Sequence, residues 1–92
     1  MGAASEPVVA AMRSALERAF EPSTLEIVDD AARHAGHAAA GRGHFRVLLV
    51  SDAFRGRSRL ERHRMVYAAL GSLLEGSVHA LSIVARTADE ND

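Results

Sequence analysis

The chain of 92 residues contains five histidines and no cysteine. Without a thiol it cannot form a disulfide, run thiolate catalysis, build a cysteine zinc site or hold an iron–sulfur cluster by thiolates of its own. Histidine is its only soft metal ligand apart from methionine. His34 and His37 stand three apart and His44 follows seven later, so their imidazoles converge if the segment folds back on itself. Zinc held by His34, His37 and His44 is one outcome of that spacing, and solvated loop histidines are the commoner one. His79 is in phase with Leu81 and Ile83, which in isolation reads as a half-buried histidine bonded to backbone. His63, between Arg62 and Arg64, reads as packed.

A second constellation is cationic. Arg55, Arg57, Arg59, Arg62 and Arg64 fall within ten residues, with Glu61 their only acidic neighbour. Such a cluster suits phosphates, a negative partner surface or an anionic cofactor such as glutathione; a solvated face is the plain alternative. The net charge of −1 hides a division into −4 over residues 1–32, +6 over 33–64 and −3 over 65–92. Hydrolase and nucleotide motifs are missing: there is no Gly-x-Ser-x-Gly, His-Glu-x-x-His, Gly-x-Gly-x-x-Gly or phosphate-binding loop. The paired carboxylates Asp29 and Asp30 sit at a strand end. The chain is therefore not expected to be an enzyme.

The elements that must position these groups follow from periodicity. Val8, Met12, Leu16 and Phe20 recur every four residues behind a start at Ser5-Glu6-Pro7, and Pro22 stops that helix. Leu25 to Asp29 and Phe45 to Ser51 read as strands, the second apolar on both faces and so interior. Between them lies a long loop, Asp30 to Gly43, with no large apolar side chain; loops of that length tend to be functional or disordered. Ser58 and Glu61 form a capping box for a second helix expected to run to about Leu74, burying Val66, Tyr67, Leu70, Leu73 and Leu74. Val78 to Thr87 is a third strand, and the acidic tail over 88–92 is expected to fray.

The order α-β-β-α-β is an α+β or mixed α/β arrangement in one domain over 1–92, with its core at about 8–87. The first two strands suit an antiparallel pair, and the strand-helix-strand unit suits a parallel, right-handed crossover. Of the 44 apolar residues, 18 are alanine, so the core is small and a surface or partner-assembled site is favoured over a deep pocket. No run reaches membrane-spanning length and no signal segment opens the chain. A cytoplasmic location is expected, as a monomer or weak homodimer.

Leu25-Glu26-Ile27-Val28-Asp29-Asp30, Arg33-His34-Ala35-Gly36-His37, Gly43-His44-Phe45-Arg46-Val47 through Val50-Ser51, Phe54-Arg55-Gly56, Arg62-His63-Arg64-Met65-Val66-Tyr67 and Val78-His79-Ala80-Leu81-Ser82-Ile83 together resemble the BolA family. The likeness runs over about residues 8 to 87. It implies a BolA-like, type II KH-like fold, with a three-stranded mixed sheet covered by helices on one face. It further implies a heterodimer with a monothiol glutaredoxin that shares a bridging [2Fe–2S] cluster, serving iron–sulfur trafficking or iron sensing. Carried over by residue, the resemblance puts one ligand at His79 and the other at His34, with His37 as the substitute loop ligand. The glutaredoxin cysteine and glutathione would supply the missing thiolates, and no cofactor is expected in the isolated chain.

Some BolA-like proteins are linked to transcriptional control, so the rival function is a nucleic-acid-binding regulator that uses Arg55 to Arg64. KH domains grip single strands through a Gly-x-x-Gly loop. This chain has none; Gly56-Arg57-Ser58-Arg59 comes nearest and ends in arginine.

Overall fold

The computed structural model describes residues 6–29, 44–76 and 80–90. Helix α1 (Glu6–Phe20) buries Met12, Leu16 and Phe20, a spacing of four that lines one stripe of the helix. It ends where Pro22 cannot continue it. Glu21 takes a left-handed φ of 46° while its N–H still reaches the Glu17 carbonyl at 3.0 Å.

Three strands follow from the apolar alternation, β1 (Thr24–Asp29), β2 (His44–Val50) and β3 (Ala80–Arg86). The sheet order is β1-β2-β3, with β1 antiparallel to β2 and β3 parallel to β2. β2 is thus the interior strand its two apolar faces predicted. In register, Leu25, Leu49 and Ala85 form one row, and Ile27, Val47 and Ile83 the next. These rows join Met12, Leu16, Phe20, Phe54, Val66 and Leu70 in one core. The opposite face carries the rows Glu26, Leu48, Val84 and Val28, Arg46, Ser82. It is open, with Val28 and Val84 each 40% exposed.

A buried serine ties the layers together. The Ser51 hydroxyl donates to the Phe20 carbonyl at 2.6 Å and accepts from the Ala53 N–H at 3.1 Å, while the Ser51 N–H reaches the Arg86 carbonyl at 2.9 Å. The end of α1, the exit of β2, a 3-10 turn (Asp52–Phe54) and the end of β3 therefore meet at one residue.

The second helix differs from its sequence reading. Helix α2 (Arg59–Leu70) stops at Gly71, and a separate single turn, α3 (Leu73–Gly76), carries Leu73 and Leu74, which are half-buried. Gly71 has φ 55° and ψ −125° and donates to the Tyr67 carbonyl, a backbone conformation open to glycine and strained for other residues. Tyr67 is 42% exposed rather than buried: the core takes Val66 and Leu70, and Tyr67 falls on the flank between that stripe and solvent. The expected long loop over 30–43 and residues 77–79, where the expected third strand begins at Val78, lie outside the described residues.

Candidate functional site

Two regions carry the sequence-derived candidates. The first is one end of the sheet. Asp29 closes β1 opposite Phe45, and His44 opens β2 opposite Ala80, the first residue of β3. His34, His37 and His79 lie outside the described residues, but the segments bearing them are covalently joined to those neighbouring strand ends. His44 is half-buried there, in phase with Arg46 on the open face. Among the described residues, no group of three or more His, Asp or Glu side chains is gathered to hold a metal ion.

The second region is the start of α2. Ser58 and Glu61 form the capping box read from the sequence: the Glu61 N–H donates to Ser58 Oγ at 3.1 Å and the Ser58 N–H donates to Glu61 Oε1 at 2.8 Å. The bond from the Ser58 backbone holds the Glu61 carboxyl below its ordinary range, with Arg57 and Arg64 adding to the effect. The helix start is satisfied internally, so the arginines around it are set on a rigid end.

Those arginines divide into two groups. Arg55 bridges Asp52 at 2.9 Å and Asp89 at 3.2 and 3.4 Å. Arg62, whose side chain is 13% exposed, donates to the Arg57 carbonyl at 2.9 Å, the Ala85 carbonyl at 3.0 Å and both oxygens of Glu90 at 2.6 and 2.9 Å. The Ala85 carbonyl points out of the β3 edge, so Arg62 caps an edge group that would otherwise face solvent. Arg57, Arg59 and Arg64 are exposed. Three of the five arginines are thus offered outward, and two hold the fold.

The acidic end is correspondingly ordered. Fraying was expected from Asp89, but Asp89 also accepts from the Thr87 hydroxyl at 2.6 Å, and Glu90 from the Thr87 N–H at 3.0 Å. Asn91 and Asp92 lie outside the described residues. Sequence reading missed this clasp; the signal was present in Asp89-Glu90, two acids following a basic middle. The Thr87 hydroxyl and then Arg55 lower the Asp89 carboxyl to about 2, and Arg62 followed by the Thr87 N–H lowers that of Glu90 to about 2.

Both folded values lie below the unfolded ones, so the stabilisation is present above about pH 4.5 and is lost as pH falls toward 2. Glu90→Gln should therefore flatten the acid limb of stability across that window. Urea midpoints measured from pH 6 down to pH 2 check this; an acid limb equal to wild type would show that Glu90 is not held by Arg62. Because the pairs are solvent-facing, salt should weaken the effect.

Between α2 and the edge of β3 runs an open groove of about 680 Å³, lined by Arg57, Arg59, Arg62, Arg86, His63 and Glu90 over a floor of strand positions 83–85. No helix among the described residues is long and apolar enough to cross a membrane.

Comparison with known proteins bears on both regions. A family model described as BolA-like protein matches residues 16–90. The chain is 48% identical over 85 residues to BolA-like protein 1 of Mus musculus, covering 92% of this chain and 61% of that protein. It is 45% identical over 75 residues to the DNA-binding transcriptional regulator BolA of Escherichia coli (strain K12), covering 82% and 70%. The solved BolA domain of SufE1 from Arabidopsis thaliana overlays it with a TM-score of 0.78 at 44% identity, covering 89% of this chain and 93% of that one. The chain spans only 61% of the mouse relative's length and 23% of that of the SufE-like protein 1 of Arabidopsis thaliana. The fold, the ordered motifs and these matches agree: the chain belongs to the BolA family.

Proposed function

We propose that the chain is a non-enzymatic, cytoplasmic adaptor that binds a monothiol glutaredoxin and co-ligates a bridging [2Fe–2S] cluster in iron–sulfur assembly, trafficking or iron sensing. The observation supporting this reading is the shared strand end: Asp29 pairs with Phe45, and the preceding residue, His44, pairs with Ala80. The segment with His34 and His37 and the residue His79 are thereby tethered to one end of a rigid sheet. The family resemblance implies His79 and His34 as the ligands, with His37 as the substitute loop ligand.

The donor chemistry fits. Imidazole nitrogen ligates iron in mixed His and Cys clusters, and such ligation raises the reduction potential above that of all-cysteine clusters. This chain contributes nitrogen donors only, so the thiolates must come from the glutaredoxin cysteine and glutathione. The arrangement is intrinsically heteromeric. Its test is anaerobic reconstitution with a monothiol glutaredoxin and glutathione. A one-to-one complex with a visible circular dichroism spectrum distinct from that of the glutaredoxin alone is expected; an unchanged glutaredoxin spectrum sinks the reading.

A second reading is supported by the name of the Escherichia coli relative and by Arg57, Arg59 and Arg64, which stand exposed on a capped helix start. It is a nucleic-acid-binding regulator that grips phosphates with these side chains. Duplex affinity should then fall with salt by about 0.9 log unit per log unit for each phosphate contact. A slope unchanged by Arg57→Gln/Arg59→Gln/Arg64→Gln removes this reading.

A further inference from the structure

The groove beside β3 contains a carboxylate that the chain itself supplies. Glu90 sits on Arg62 through two bonds, at 2.6 and 2.9 Å, the paired geometry by which guanidinium recognises carboxylate. The exposed guanidinium groups of Arg57 and Arg59 line the groove beside Arg62 and that acid. Arg57 and Arg59 stand at the start of α2, which Arg62 ties to the end of β3 through the Arg57 and Ala85 carbonyls, so the cations gather around one end of the groove. Several guanidinium groups gathered beside one acid match more than one carboxylate, as an acidic peptide supplies.

We propose that this groove docks an acidic peptide segment of a partner protein, and that Glu90 is an internal competitor that holds Arg62 until the segment arrives. The chemistry is shown by the tail's own carboxylate in the groove. The floor at positions 83–85 is aliphatic, giving contact to the methylene parts of glutamate side chains. Among the described residues lining the groove there is no Phe, Tyr or Trp, and the imidazole of His63 is the one ring able to stack on a base. The outward carbonyl of Ala85 is already taken by Arg62 at 3.0 Å; the segment is therefore held by its side-chain carboxylates and does not extend the sheet as a fourth strand. Arg57 and Arg59 receive it first, and displacement of Glu90 from Arg62 follows. Glu90 is joined to the same chain, so its effective concentration at Arg62 is high and its removal has a measurable effect.

The proposal uses none of the proposed cluster ligands, so it stands or falls separately from the cluster reading. It competes with the nucleic-acid reading for Arg57 and Arg59. The test uses a fluorescent hexaglutamate peptide, its hexaglutamine analogue and a thymidine hexanucleotide, with anisotropy titrations at low salt and amide chemical-shift mapping on the full chain. Hexaglutamate should bind, hexaglutamine should not, and shifts should concentrate at residues 57–62 and 83–86. Arg57→Gln/Arg59→Gln should weaken binding by about tenfold or more, and Glu90→Gln should tighten it by about threefold or more. Shifts confined to the open sheet face, an affinity indifferent to either variant, or tighter binding of the hexanucleotide with the same shifts would each overturn the proposal. Shift mapping on the wild-type chain decides the matter even if a variant folds poorly.

Discussion

Phe54→Ala is expected to lower the free energy of unfolding by about 3–5 kcal/mol, the range for deleting a fully buried aromatic side chain. Phe54 is 0% exposed and is among the largest side chains enclosed by the fold. Its ring lies 5.0 Å from that of Phe20 with the planes inclined at 36°, so the substitution removes an aromatic pair as well as apolar area. The residue sits on a three-residue 3-10 turn, Asp52–Phe54, whose neighbour Ser51 is bonded to the Phe20 carbonyl at 2.6 Å. Little freedom exists there to collapse into the vacated space, which places the cost high in the range. Chains of this length have a total stability of roughly 5–14 kcal/mol, so the loss is a large fraction of the total and the variant should unfold at markedly lower urea. Urea unfolding checks it: the midpoint should fall sharply with an unchanged slope. Tyr67→Ala, at a position 42% exposed, should cost less than about 1 kcal/mol. Equal losses at the two positions would contradict the packing.

The contrast between Phe54 and Tyr67 shows where sequence was sufficient and where it was not. The four-residue spacing in α1, the two-sided apolar character of β2 and the Ser58 and Glu61 capping box are local signals, and each survives folding because nothing distant competes with it. The strand order and the parallel crossover were legible from the element order. Tyr67 was misplaced because periodicity marks an apolar stripe without fixing its edges: Val66 and Leu70 are buried, Met65 and Ala69 pack partly against the core, and Tyr67 lies beyond that edge. The end of α2 was misplaced because Gly71-Ser72-Leu73-Leu74 reads equally as a helix interior or a break. What decides it is the positive φ of Gly71, a backbone state invisible in composition.

The arginine cluster failed as a single unit for a related reason. Five arginines close in sequence look equivalent, yet Arg55 and Arg62 find carboxylates more than twenty-five residues away. Long-range pairing of that kind has no local signature. It leaves Arg57, Arg59 and Arg64 as the surface available to partners, a smaller and more specific set. The same clasp uses the acidic end as a structural element, so truncation before Thr87 would remove groups the β3 edge relies on.

His79→Ala is expected to abolish the shared-cluster spectrum, with a larger effect than any other single ligand substitution in the chain. Two histidines in the 30–43 segment can compete for one coordination position, whereas the residue before β3 has no neighbouring imidazole in sequence. His34→Ala should therefore leave a weakened complex served by His37, and His34→Ala/His37→Ala should match the loss at His79. Proton competition gives an independent readout. A ligating imidazole must be neutral, and an ordinary imidazole titrates near 6.5, so cluster retention should fall as pH drops through about 6 in wild type. In His34→Ala the pH at which half the cluster is lost should rise, since the weaker ligand set yields to protons earlier. Visible circular dichroism of the reconstituted complex, followed from pH 8 to pH 5, measures both effects. A His79→Ala spectrum identical to wild type would remove this residue from the ligand set while leaving glutaredoxin docking to be judged by complex formation alone. Loss of the spectrum with the complex intact would separate ligation from docking, because the sheet end that anchors the histidines and the arginines around α2 belong to different parts of the surface.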